Sequence, residues 1–146
     1  YSVGKHRHAP EIEQEIAKAA GRPAAEQRVN FTPHLVPMSR GELVTCHLRL
    51  SEGHGVDDLR ATLTARYADE PFVRVLDDGV MAQTQMVRGS NNCVISVIPD
   101  RIPGRAIVIA AIDNLVKGSS GQAVQNMNVM LDLPETTGLQ QVALFP

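Results

Sequence analysis

The sequence predicts an α+β domain, a mixed, mostly antiparallel sheet with helices on one face. Three observations carry this. The predicted elements alternate irregularly (helix, strands, helix, strands, helix), without the repeated strand–helix–strand crossovers of a parallel fold. From Glu42 to Leu50, Val44, Cys46, Leu48 and Leu50 alternate with Thr45, His47 and Arg49, the period of two of a half-buried strand. Arg105 to Ile112 is an almost continuous apolar run, the pattern of a strand buried on both faces. At 146 residues the chain can bury a full core.

Taken in order, Pro10 suits the first turn of a helix, and Glu11, Glu13 and Glu15 suit its positive end. Ile12, Ile16, Ala19 and Ala20 form its apolar stripe and Gly21 its stop. A turn is expected to Gln27, then a strand at Arg28 to Thr32 ended by Pro33, then an irregular segment to Gly41. Val56, Leu59, Leu63 and Tyr67 recur at helical spacing behind Asp57 and Asp58. Short strands are expected at Phe72 to Leu76 and Cys93 to Ile98, with a weaker one at Ala82 to Val87. A last helix is expected from about Asn114 to Leu131, closed by Pro134, with a tail to Pro146.

Composition excludes several functions. A formal net charge of −2 gives no electrostatic reason to expect nucleic acid or an anionic membrane, and three Phe, two Tyr and no Trp make a poor base-stacking platform. The longest apolar run, Ala106 to Ile112, is far shorter than a membrane span, and the polar, basic start lacks the apolar stretch of a signal peptide. Cys46 and Cys93 stand apart in apolar segments, and are expected to be reduced and buried.

Two segments carry chemistry. His6-Arg7-His8-Ala9-Pro10-Glu11 places two imidazoles, an Arg and a carboxylate at a helix start. In an extended backbone His6 and His8 point the same way, toward space that the helix N-terminus makes positive. Such a place suits an anion and a neutral imidazole acting as a base, with Arg7 as a fork and Glu11 orienting a ring. Solvated polar residues ahead of a surface helix would read alike. Zinc on His6 and His8 is a further alternative that lacks a third strong ligand nearby, and no metal is expected.

The second segment, Asp113 to Asn128, puts Gly118, Ser119, Ser120 and Gly121 in a helix, where each Gly costs about 1 kcal/mol against Ala. Gly118, Gln122, Gln125 and Asn128 form a small, polar side, and Val116, Ala123, Val124, Met127 and Leu131 an apolar one. Close helix packing or contact with a cofactor would explain the glycines, and capping explains one of Asp113 and Asn114. No phosphate-loop motif is present.

Several blocks, in order, resemble the C-terminal part of the N-acetyl-gamma-glutamyl-phosphate reductase family. They are Gly4 to Ile12, Phe31 to Gly41, Gly89-Ser90-Asn91, Ala111 to Gly118, and Pro134 to Leu139. The resemblance implies a fold similar to the C-terminal domain of glyceraldehyde-3-phosphate dehydrogenase, with one sheet face joining subunits into a dimer or tetramer. It implies a Cys thiolate attacking an acyl phosphate, loss of phosphate, and reduction of the thioester by NADPH (NADP as cofactor) to a semialdehyde, in arginine biosynthesis. His6, or else His8, would be the acid and base, with Glu11 orienting. Arg40, Arg7 and Tyr1 would bind substrate, and Asn114, Lys117 and Gly118 would line the nicotinamide.

Residues 1–112 would then be the catalytic and dimerisation domain, and 113–146 a helix and tail packing on an N-terminal nucleotide-binding domain. The family's nucleophile and Gly-rich turn lie upstream and are not in these residues. The chain is thus expected to be a fragment, inactive alone, of a cytoplasmic or plastid enzyme. Alternatives are a subunit-association module without chemistry of its own, a metal-dependent hydrolase, or a relative reducing a carrier-protein-linked acyl phosphate in lysine biosynthesis.

Overall fold

The first helix, α1, runs His8–Ala20 with Pro10 in its first turn, where a missing N–H costs nothing. It ends at Gly21, whose left-handed backbone (φ 62°) lets the Gly21 and Arg22 N–H groups reach the carbonyls of Lys18 and Ala17. The computed structural model describes residues 1–144, and its backbone forms two compact units, Tyr1–Met38 and Ser39–Pro146. In the first unit a short 3-10 turn, Ala24–Glu26, follows α1. The strand expected at Arg28 to Thr32 does not form. The Val29 N–H goes instead to the Glu13 carboxylate on α1 (3.1 Å), and Pro33 and Pro37 remove donors from any ladder beyond it.

The second unit holds β1 (Glu42–Arg49), α2 (Val56–Arg66), β2 (Val73–Val75), β3 (Cys93–Pro99), β4 (Arg105–Ile112) and α3 (Gly121–Met130), the last preceded by a π-helical turn at Val116–Ser120. The strands form one mixed sheet in the order β1-β4-β3-β2, antiparallel except for the parallel pair β2 and β3. This is the α+β architecture expected. The β1-α2-β2 crossover and the return from β2 to β3 run in opposite directions across the sheet, so right-handedness sends them over opposite faces. On the return face Leu76, Ala82 and Val87 pack on Val94 and Ala111 as the core. The weaker strand expected at Ala82 to Val87 is absent, because the Ala82 N–H is taken by the Ser96 hydroxyl (2.6 Å) and the chain then winds into a 3-10 turn at Thr84–Met86.

Strand β1 forms where its alternation predicts, but it is not half-buried. It is the sheet edge, and residues of both faces, Leu43 and Val44 among them, are exposed. Cys46 lies on it and is exposed too, whereas Cys93 on the inner strand β3 is partly buried.

Helix α3 buries its small, polar side. Gly121, Gln125 and Asn128 are its buried residues, while Met127 (49% exposed), Met130 (83%) and Leu131 (62%) face outward. The amides go inside because they have partners there, as the site shows.

Candidate functional site

The histidine segment is a turn, not the extended strand that alternation suggested: Lys5 N–H bonds to Ser2 O (3.0 Å), and Arg7 has helical backbone angles. The turn still gathers the rings. His6 stands edge-on to His8 (centroids 4.7 Å apart), Tyr1 (5.2 Å) and Phe31 (5.2 Å). The His8 backbone N–H donates to His6 Nδ1 (3.2 Å), so the neutral ring carries its proton on Nε2. Desolvation, with the positive charges of His8 and Arg7, holds the His6 imidazole below its ordinary pKa, so that it is neutral near pH 7. Phe31 comes from the segment that Glu13 ties to α1 through Val29. Arg7 and Glu11 are exposed, and among the described residues Glu11 bonds to neither imidazole.

Asp113 is the centre of the second cluster. It stands at the end of β4, fully buried, and bridges three segments. Its carboxylate receives the Gly89 N–H (2.6 Å), the Leu115 N–H (2.9 Å) and the Val116 N–H (3.2 Å). Both of its oxygens also meet the half-buried Arg40, at 2.8 Å to Nε and 3.2 Å to Nη2. Burial disfavours the carboxylate, but bonds from Gly89, Leu115, Arg40 and Val116 outweigh it and hold its pKa below the usual range. Next to it, Asn114 Oδ1 accepts the Gly41 N–H (2.6 Å), where the backbone turns through φ 120°. The sequence offered Asp113 only as a cap. The signal was present nonetheless, since a carboxylate ending an apolar strand must be paired if buried.

The buried amides of α3 form a third group. Gln125 Oε1 accepts from Asn91 Nδ2 (2.8 Å) and from the Lys117 ammonium (2.7 Å), and its Nε2 donates to the Glu135 carboxylate. Asn128 Nδ2 donates to the Glu135 and Thr137 carbonyls (3.0 and 2.9 Å), fastening the tail after Pro134. Lys117 also lies over the Phe72 ring (5.6 Å). Burial lowers its pKa, opposed by Cys93, Glu135 and Glu70. Gly118 is exposed, and a side chain there would meet Ile112 at an ordinary 3.4 Å.

Gly121 is the crowded glycine. A Cβ would lie 2.8 Å from the Val116 carbonyl and nearer still to Asn91 Oδ1. Helix propensity favours Ala there by about 1 kcal/mol, but overpacking against a backbone oxygen costs about 1–3 kcal/mol or more. Gly121→Ala is therefore expected to destabilise the protein by about 1–2 kcal/mol in urea unfolding; a stabilised variant would show that the contact relaxes freely.

Among the described residues no group of three His, Cys, Asp or Glu side chains is placed to hold a metal ion, and no helix is long and apolar enough to cross a membrane.

Residues 1–114 match the family described as "Semialdehyde dehydrogenase, dimerisation domain", and the chain belongs to that family. Within it, the whole chain is 58% identical to an N-acetyl-gamma-glutamyl-phosphate reductase of Rhodospirillum rubrum. It is 55% identical to a probable chloroplastic N-acetyl-gamma-glutamyl-phosphate reductase of Arabidopsis thaliana. It covers 41% and 36% of those two proteins, so it spans about two-fifths of the curated relatives it matches. Aspartate semialdehyde dehydrogenase II of Vibrio cholerae, solved with ASA, superposes with a TM-score of 0.64 over 86% of this chain and 37% of that one. At 17% identity this is a likeness of fold.

Proposed function

We propose that this chain is the catalytic and dimerisation part of an NADPH-dependent N-acetyl-gamma-glutamyl-phosphate reductase, converting N-acetylglutamyl 5-phosphate to N-acetylglutamate 5-semialdehyde and phosphate in arginine biosynthesis. The observation that carries it is identity of 55–58% over the whole chain with reductases of that name. In this reading residues 1–112 serve catalysis and association, and 113–146 pack on a nucleotide-binding part supplied from upstream. The enzyme works in the cytoplasm, or in the plastid stroma in a plant.

His6 is the acid and base. Its Nε2–H would donate a hydrogen bond to the oxygen of a thioester formed on the upstream Cys and stabilise the negative charge that hydride addition places there, until the thiohemiacetal expels the Cys thiolate and the aldehyde forms. His8 serves chiefly through its backbone N–H, which fixes the tautomer. Glu11, exposed in the first turn of α1, acts at most through its charge. Arg40 holds the phosphate or the carboxylate of the substrate, with Tyr1, edge-on to His6, and Arg7 as further substrate-binding residues.

NADPH, when bound, supplies the hydride. Asn114, Lys117 and Gly118 would line its nicotinamide: exposed Gly118 would permit close backbone approach, Asn114 is fixed by the Gly41 N–H on its oxygen, and the Lys117 ammonium is fixed by Gln125. Association into dimers uses the open strand β1, whose exposed Leu43, Val44 and Leu48 support it.

The test mixes this chain with the separately expressed upstream part and follows NADPH oxidation with N-acetylglutamyl phosphate. Activity is expected only in the mixture. Silence from associated halves with this substrate, but turnover of a carrier-linked acyl phosphate, would move the reading to the lysine-pathway relative.

A further inference from the structure

Resting on the reading of Arg40 as a substrate residue, we propose that Asp113 is its positioning residue: it fixes the plane of the Arg40 guanidinium, so that the remaining nitrogen presents to an anionic group of the substrate. One guanidinium nitrogen, Nη2, donates to Asp113 Oδ1 (3.2 Å), and Nε stands 2.8 Å from Oδ2 as an ion pair without hydrogen-bond alignment. Among the described residues the third, Nη1, makes no hydrogen bond, and the Arg40 side chain is 31% exposed. A planar fork held on one edge has its other edge aimed, which is the geometry that oxyanion recognition uses.

Asp113 is itself immobile. It is 0% exposed and receives backbone N–H groups from two places, Gly89 before β3 and Leu115 and Val116 after β4. The segment bearing Arg40 is fixed from the same corner, because Asn114 Oδ1 receives the Gly41 N–H. Consecutive residues at the end of β4 thus clamp consecutive residues at the start of β1, one by the side chain and one by the backbone. A cap of the following helix needs only the Leu115 and Val116 bonds. The hydrogen bond and ion pair to a side chain 73 positions earlier are unnecessary for capping.

The experiment uses the full-length reductase and measures KM separately for NADPH and acyl phosphate, and, in the oxidative direction, for phosphate and for the semialdehyde. Arg40→Ala is expected to raise the KM of one anionic reactant, phosphate if the fork holds phosphate, semialdehyde if it holds the carboxylate. Asp113→Asn, which keeps the shape and loses the charge, should raise the same KM by about tenfold, equivalent to one good hydrogen bond, with the NADPH KM unchanged. Added to Arg40→Ala it should raise that KM no further. If Asp113→Asn does not fold, Asp113→Glu keeps the charge and displaces the fork by one methylene, with the same rise expected. An unchanged anion KM in a folded Asp113 variant, or full additivity with Arg40→Ala, overturns the proposal while leaving Arg40 in place. An unchanged anion KM in Arg40→Ala overturns the reading of Arg40 and the proposal together.

Discussion

His6→Ala in the intact reductase is expected to lower kcat by about 10²–10⁴-fold, the usual contribution of a positioned acid or base, with little change in the KM of NADPH. His8→Ala should cost far less, about tenfold, because the backbone N–H that fixes the His6 tautomer survives and only one ring contact, worth about 0.5–1.5 kcal/mol, is lost. Stopped-flow or steady-state kinetics of the two variants, side by side, checks this. Equal losses would mean that the second imidazole takes part in the proton transfer itself. The His6 ring sits below its ordinary pKa, so kcat/KM is expected to stay flat through neutral pH and to fall only on the acid side, as a proton on Nδ1 displaces the His8 N–H bond that fixes the ring.

Asp113→Ala is expected to cost about 3 kcal/mol or more in urea unfolding. It removes the partner of a half-buried guanidinium and strands three part-buried backbone N–H groups. The loss should also depend on pH. The folded carboxyl titrates below its unfolded value, so its contribution is fully present above the unfolded pKa of about 3.9 and is lost as pH falls through the folded one. The parent should therefore lose stability below about pH 4 more steeply than Asp113→Ala, whose curve lacks this group. Parallel curves over that range would mean that the carboxyl is not held ionised by its four donors.

The histidine cluster was legible because its parts are neighbours in sequence, and even a wrong local conformation, strand for turn, brought His6 and His8 together. Phe31 was not legible, because its approach to His6 depends on the Glu13–Val29 bond that folds residues 27–31 back along α1. The family resemblance points to Arg40 as an anion-holding residue, but the carboxylate it pairs with lies 73 positions away and reads along the chain only as a cap.

What the sequence determined by itself is whatever local periodicity and turn chemistry dictate: α1 with its Pro and Gly boundaries, β1, α2, β3 and β4, and the α+β class. Only the tertiary structure decided burial and orientation. Strand β1 carries the apolar pattern of a covered strand, yet its position at the sheet edge leaves it open, because burial belongs to the neighbour and not to the strand. Helix α3 turns its amides inward against its own apolar stripe, because Asn91, Lys117, Glu135 and the Thr137 carbonyl satisfy them there. A buried amide is tolerated only where partners wait for it, and no pattern along one helix records where those partners are.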